Sequence, residues 1–134
     1  MSARRAALGL AALLTTSGIL HFAKPKPFDT IVPRVLPGDR RLWTYASGAA
    51  ELGVAALLVT PRTRRVGGLA AAALFTTVFP ANVQMAWDWR HRPVPMRAVA
   101  WGRLPLQVPL IRWALRAARQ RNTPAHRLSE RARD

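Results

Sequence analysis

The sequence predicts an all-α protein: a membrane-spanning antiparallel four-helix bundle with a Pro-rich cap between helices 1 and 2. Three observations lead there. Nearly all apolar residues of the 134-residue chain fall into four blocks, at about 6–23, 42–60, 66–87 and 98–117. Each block is close to the ~20 residues a helix needs to cross a bilayer. Strand alternation is absent, and backbone buried in lipid must bond within its own segment, so helices are expected rather than open sheets. The connections are short, which places neighbouring helices antiparallel.

The mean hydropathy is near zero only because 21 Lys and Arg lie mainly between and after the blocks. A net charge of +15 raises the question of nucleic acid. The charge sits in caps and in a basic tail at 120–134, however, and is not laid along one helix face among aromatics. That distribution suits anionic lipid headgroups, and no nucleic-acid partner is expected. The absence of cysteine excludes disulfides, thiol redox chemistry, iron–sulfur clusters and cysteine zinc sites. The chain length suits one domain, 1–119, followed by a tail read as disordered.

The first block follows Arg4 and Arg5, a start that resembles a secretory leader. Its apolar run continues through Ile19, Leu20 and Phe22 without a small-x-small cleavage site before Lys24, so a retained helix is expected. His21 closes the block, where an interfacial imidazole needs no special role. Residues 24–41 hold Pro25, Pro27, Pro33 and Pro37, which forbid a long helix. Phe28, Ile31, Val32, Val35 and Leu36 are too apolar for a free linker. A surface cap with one short helical turn is expected, ended by the turn signal Gly38-Asp39.

Glu51 stands at the midpoint of the second block. A charge at that depth costs roughly 2.5–3.5 kcal/mol on insertion scales, so it is rarely left facing lipid. Ser47, Gly48 and Ala55 share its helical face, and such small residues let a neighbouring backbone approach. Glu51 is therefore expected to face the bundle interior. The basic turn 61–65 leads into the third block, where Pro80 predicts a kink and Asn82 and Gln84 lie within the apolar run. In the fourth block Arg103 and Gln107 share a face, while Pro105 and Pro109 interrupt the bonding ladder twice. Unwound helix there would need cover from protein or a watery cavity. Arg112 falls on another face and is expected to snorkel outward.

At ~1.5 Å per residue, Asn82 and Arg103 lie roughly 8 Å below the surface holding the cap, and Glu51 and Gln107 roughly 14 Å. With His21, all five crowd into one half of the bilayer. Opposite charges together relieve each other's penalty, so Glu51–Arg103 is the expected ion pair. Trp43, Trp87, Trp89 and Trp101 fall at the same end, as an aromatic belt would. Two readings follow for this cluster. In one, Glu51, Asn82, Arg103 and Gln107 merely clamp the bundle. In the other, they line a cavity for a polar or amphipathic small molecule, with His21 at its edge.

The runs GILHF (18–22), IVPRVLP (31–37), SGAAELG (47–53), FPANVQMA (79–86) and RLPLQ (103–107) occur in the order found in one known group. Over about residues 8–117 the chain resembles the DoxX-like family of small four-helix membrane proteins. The resemblance implies the same fold. It also implies a link to quinone-coupled sulfur oxidation, membrane oxidoreductase complexes or methylamine-utilisation assembly. By motif match it carries over Glu51, Asn82, Arg103 and Gln107. The lack of cysteine departs from any thiol-based version of that chemistry.

Three functions are therefore expected as alternatives. The first is a redox-associated membrane subunit whose cavity holds a quinone or similar ring and whose oxidoreductase partner supplies electrons. The second is a non-enzymatic scaffold or assembly subunit. The third is a small-solute permease, for which no internal inverted repeat is visible. Haem is not expected, because His91 lies in the basic run Arg90-His91-Arg92 and leaves His21 without a facing core ligand. No metal site is expected. The excess of Lys and Arg around the termini and the 61–65 turn predicts a multi-pass plasma-membrane protein with both termini cytoplasmic.

Overall fold

The computed structural model describes residues 1–119, so the tail expected at 120–134 lies outside the described residues. Four long helices and one short one follow in order: α1 (Ala3–Ala23), α2 (Pro25–Asp29), α3 (Arg40–Val59), α4 (Arg64–Asp88) and α5 (Val94–Ala118). Every long helix begins two to four residues before its apolar block, with arginines in the first turn of α1, α3 and α4. The Ser2 hydroxyl accepts from Arg5 N–H at 3.2 Å, and the Asp39 carboxylate accepts from Arg41 N–H at 3.0 Å. Pro93 precedes α5, and Pro95 is tolerated in a first turn that needs no amide donor there. The cap forms its one short turn as α2, opened by Pro25 with φ already set. Gly38, at φ +84°, then turns the chain into α3.

Pro80, Pro105 and Pro109 all lie inside helices that continue through them. The interruption expected in α5 is thus confined to single missing bonds. Each proline removes one amide donor, while the turns on either side keep theirs.

The bundle is small inside and large outside. Ala7, Ala11, Ala55, Ala71, Ala114 and Ala117 are buried around Leu10, Leu14, Leu58 and Phe75 in one core cluster. Leu8, Leu69, Phe79, Val83, Val99 and Val108 lie exposed on the outer surface. Small inward faces let backbones meet directly. A Cβ added at Gly48 would fall 2.7 Å from His21 Cβ and 3.1 Å from the Gly18 carbonyl oxygen, which fixes how closely α1 and α3 approach. A Cβ at Gly68 would fall 2.5 Å from the Ala118 amide nitrogen, so α4 and α5 touch through backbone.

Among the described residues, three helices, α1, α3 and α4, are long and apolar enough to cross a membrane. The fourth crossing expected at 98–117 does not stand beside them on that measure. Helix α5 is long enough, but Arg97, Arg103, Arg112 and Arg116 make it too polar.

Candidate functional site

Glu51 lies on α3 one turn beyond Gly48, and the missing side chain at Gly48 lets α1 come close enough to cover it. The α1 residues that meet it are Ser17 and His21. Nδ1 of His21 stands 3.6 Å from Oε2 of Glu51 and 2.8 Å from the Ser17 carbonyl oxygen. Both side chains are largely enclosed, at 9% and 12% of their free exposure. Oε2 of Glu51 is buried and accepts no hydrogen bond. Such an atom forfeits its water without recovering a partner, which ordinarily costs about 1–3 kcal/mol and more for a charged group.

Across the bundle, Arg103 on α5 donates from Nε to Oδ1 of Asn82 on α4 at 3.0 Å. One turn further along α5, Nε2 of Gln107 donates to the Phe75 carbonyl oxygen at 2.9 Å. The direct Glu51–Arg103 ion pair expected from depth alone is not formed: no contact within 4 Å joins them. A cavity keeps them apart. Its volume is about 190 Å³, and Glu51, Asn82, Arg103 and Gln107 all line it, with Ser17 and a wall of leucines, Phe75 and Val78. His21 stands behind Glu51, outside the lining. Gln84 takes no part in it.

The cap is tied to this end of the bundle by groups the sequence reading passed over. Asp29 on α2 accepts from Arg41 Nε at 2.9 Å and from the Thr44 hydroxyl at 2.6 Å, with Arg41 Nη2 in ion-pair contact at 2.9 Å. The Arg41 hydrogen bond, then that from Thr44, holds the Asp29 carboxyl below its usual range. Phe28 stacks on the His21 ring with centroids 3.8 Å apart, so the cap rests on the residue facing Glu51. Trp43 adds a bond from its indole N–H to the Pro37 carbonyl at 2.7 Å. The signal for Asp29 was present: it is one of two acids in a largely basic and apolar cap, with Arg41 and Thr44 one turn apart on the next helix. At the other end, Arg64 is buried and donates from Nε to the Leu58 carbonyl at 2.9 Å. It thereby satisfies an end of α3 that has no amide partner. Nothing in the run Arg62-Thr63-Arg64-Arg65 marks which arginine turns inward.

Among the described residues, no group of three His, Asp or Glu could hold a metal ion. A second hollow, of about 370 Å³, is shaped by α5 alone around Arg112, Trp113, Arg116 and Arg119. It is a crease on the outside of one helix, whereas in the smaller cavity four helices bring polar groups together, which makes it the candidate site.

Residues 10–118, which include all five of these polar positions, match a family described as a domain of unknown function (DUF8561). The chain belongs to that family. No curated protein and no solved structure matches it. The family is accordingly represented here by an all-α bundle with hydrophobic helices consistent with a membrane protein and with a buried polar cavity.

Proposed function

We propose that this is a multi-pass plasma-membrane protein of the DoxX-like type, in which α1, α3, α4 and α5 cross the bilayer antiparallel. In this reading the cavity between them binds a quinone or a similar ring, and the protein serves as a redox-associated subunit of a membrane oxidoreductase. The polar inner face of α5 is what keeps that helix from reading as a simple span. The large apolar outer surface over a small-residue interior supports the membrane setting.

One observation carries the ligand reading: Glu51 lines a cavity also lined by Arg103, and its buried Oε2 accepts no hydrogen bond, with His21 Nδ1 no nearer than 3.6 Å. A residue kept only to clamp helices would have its carboxylate satisfied. The space suits a single ring, since a dry cavity of about 150 Å³ accepts benzene. A quinone there would supply two-electron, two-proton chemistry with the partner. The chain's own groups would do the rest. Arg103 would donate to a ring oxygen, the Glu51 carboxyl would hold or receive a proton, and the leucine wall would exclude water.

The scaffold reading keeps one observation in its favour. The Arg103–Asn82 and Gln107–Phe75 bonds join α4 to α5 whatever the cavity holds. The test is the organic extract of protein purified in mild detergent. A quinone retained in stoichiometric amount supports the site, whereas an extract containing only bulk lipid supports the scaffold. Exposed Arg112, Arg116 and Arg119 at the far end of α5 would meet anionic headgroups on the cytoplasmic side, where both termini are placed.

A further inference from the structure

The cavity has a side, and that side identifies the kind of molecule it takes. Twelve residues line it, and all but two are buried or half-buried. The exceptions are Leu13 on α1, 45% exposed, and Leu106 on α5, 54% exposed. Each belongs to the cavity wall and to the outer surface at once, so the cavity reaches the outside between α1 and α5. On α3, by contrast, only Glu51 lines it, and on α4 the lining residues Leu74, Phe75, Val78 and Asn82 are all covered.

The height of this opening matters as much as its position. Leu13 lies near the middle of the 21-residue α1, and Leu106 near the middle of the 25-residue α5. In a bundle that crosses a bilayer, mid-helix is the centre of the hydrocarbon, roughly 15 Å from either interface. Water does not reach that level, and neither side chain at the opening offers it a hydrogen bond. Towards the cap, Phe28 stacked on His21 and the Asp29–Arg41–Thr44 latch cover the route from the aqueous side.

We infer that the ligand enters laterally from the lipid between Leu13 and Leu106, and that it is a membrane-dissolved molecule with a ring-sized polar head and an apolar tail. The head occupies the cavity against Glu51 and Arg103, and the tail runs out between α1 and α5 into the hydrocarbon. A small hydrophilic solute, which would arrive through the cap, is the class this geometry disfavours. The inference rests on the proposed membrane setting and ring site, and it adds the route and the tail.

The experiment uses the full chain in lipid nanodiscs and a benzoquinone carrying a decyl tail with a photoreactive diazirine near the ring. After illumination, labelled peptides are mapped by mass spectrometry with and without excess unlabelled decyl-benzoquinone. Labelling that the competitor removes is expected around Leu13 and Leu106. Leu106→Trp and Leu13→Trp should each reduce it to background, because an indole fills the opening. Neither change touches the buried core, and Val108→Trp, exposed on the opposite face of α5 and outside the cavity lining, should label as the unaltered protein does. Competed labelling confined to residues 24–41 or 89–93 would overturn the lateral route while leaving a ring site in place. Absence of any competed labelling would overturn the ring site itself, and the route with it.

Discussion

Nδ1 of His21 stands between two oxygen acceptors, the Ser17 carbonyl at 2.8 Å and Oε2 of Glu51 at 3.6 Å. A ring nitrogen placed so must carry its hydrogen, in the neutral ring as in the charged one. The tautomer follows from the neighbours, and Glu51 therefore always faces an N–H. Removing that group should leave Oε2 of the carboxylate without its nearest N–H. His21→Ala is expected to lower the melting temperature, and the double variant His21→Ala/Glu51→Gln should lose less than the sum of the single changes. A coupling of about 0.5–3 kcal/mol is the range for residues in contact. Strict additivity in thermal melts would show that the two do not interact.

The same cycle applied to Arg103 should point to Asn82 as its partner. Asn82→Ala and Arg103→Ala are expected to couple within the same ~0.5–3 kcal/mol range. Arg103→Lys should behave nearly as badly as Arg103→Ala, since lysine keeps the charge but has no Nε–H at the right place in a planar fork. Full recovery with lysine would mean that charge alone matters.

Glycines give a paired test of the packing. Gly68→Val should push α4 from α5, at about the 1–3 kcal/mol that overpacking costs. Gly9 and Gly102 have nothing within 4 Å of a built Cβ, so alanine there should be neutral or stabilising by up to ~1 kcal/mol. Chemical or thermal denaturation in detergent reads both, and similar losses at Gly68 and Gly102 would contradict the packing described.

Acid should release the cap. Hydrogen bonds from Arg41 and Thr44 depress the Asp29 carboxyl below the usual carboxylate range. A depressed acid contributes stability that is complete above its unfolded value and is lost as pH falls through its folded one. Trp43 sits beside the latch, so its fluorescence should change below about pH 4 in the unaltered protein, since an ordinary Asp titrates near 3.9. Asp29→Asn should show the released signal already at neutral pH. An Asp29→Asn protein that still titrates in this window would place the transition elsewhere.

Much of the fold was legible because apolar block length and proline placement are local properties. The four long helices and the short turn in the cap follow from them. Depth counted along the helices also brought Glu51, Asn82, Arg103 and Gln107 into one half of the bundle, and the four line one cavity. Depth does not fix azimuth, however. Whether Glu51 turns toward α1 or α5 depends on Gly18 and Gly48 letting α1 in close, so its neighbour is His21 while Arg103 is taken by Asn82. The Asp29 latch and the inward turn of Arg64 depend on contacts between segments, which no periodicity encodes. The fourth block is less legible as a span than the other three, because Arg103 and Gln107 on its inner face lower the apolar character of a helix that is long enough to cross.

The account stands on Glu51 serving a ligand rather than the bundle. Glu51→Gln keeps the shape and some hydrogen bonding while removing the charge, so it separates the two roles. The decisive measurement is quinone bound per folded protein, from extracts of the unaltered and Glu51→Gln proteins purified identically and matched by melting curve. The expected result is retained quinone in the unaltered protein and its loss in a Glu51→Gln protein that is equally folded. Equal retention in both, or none in either, would contradict the central claim.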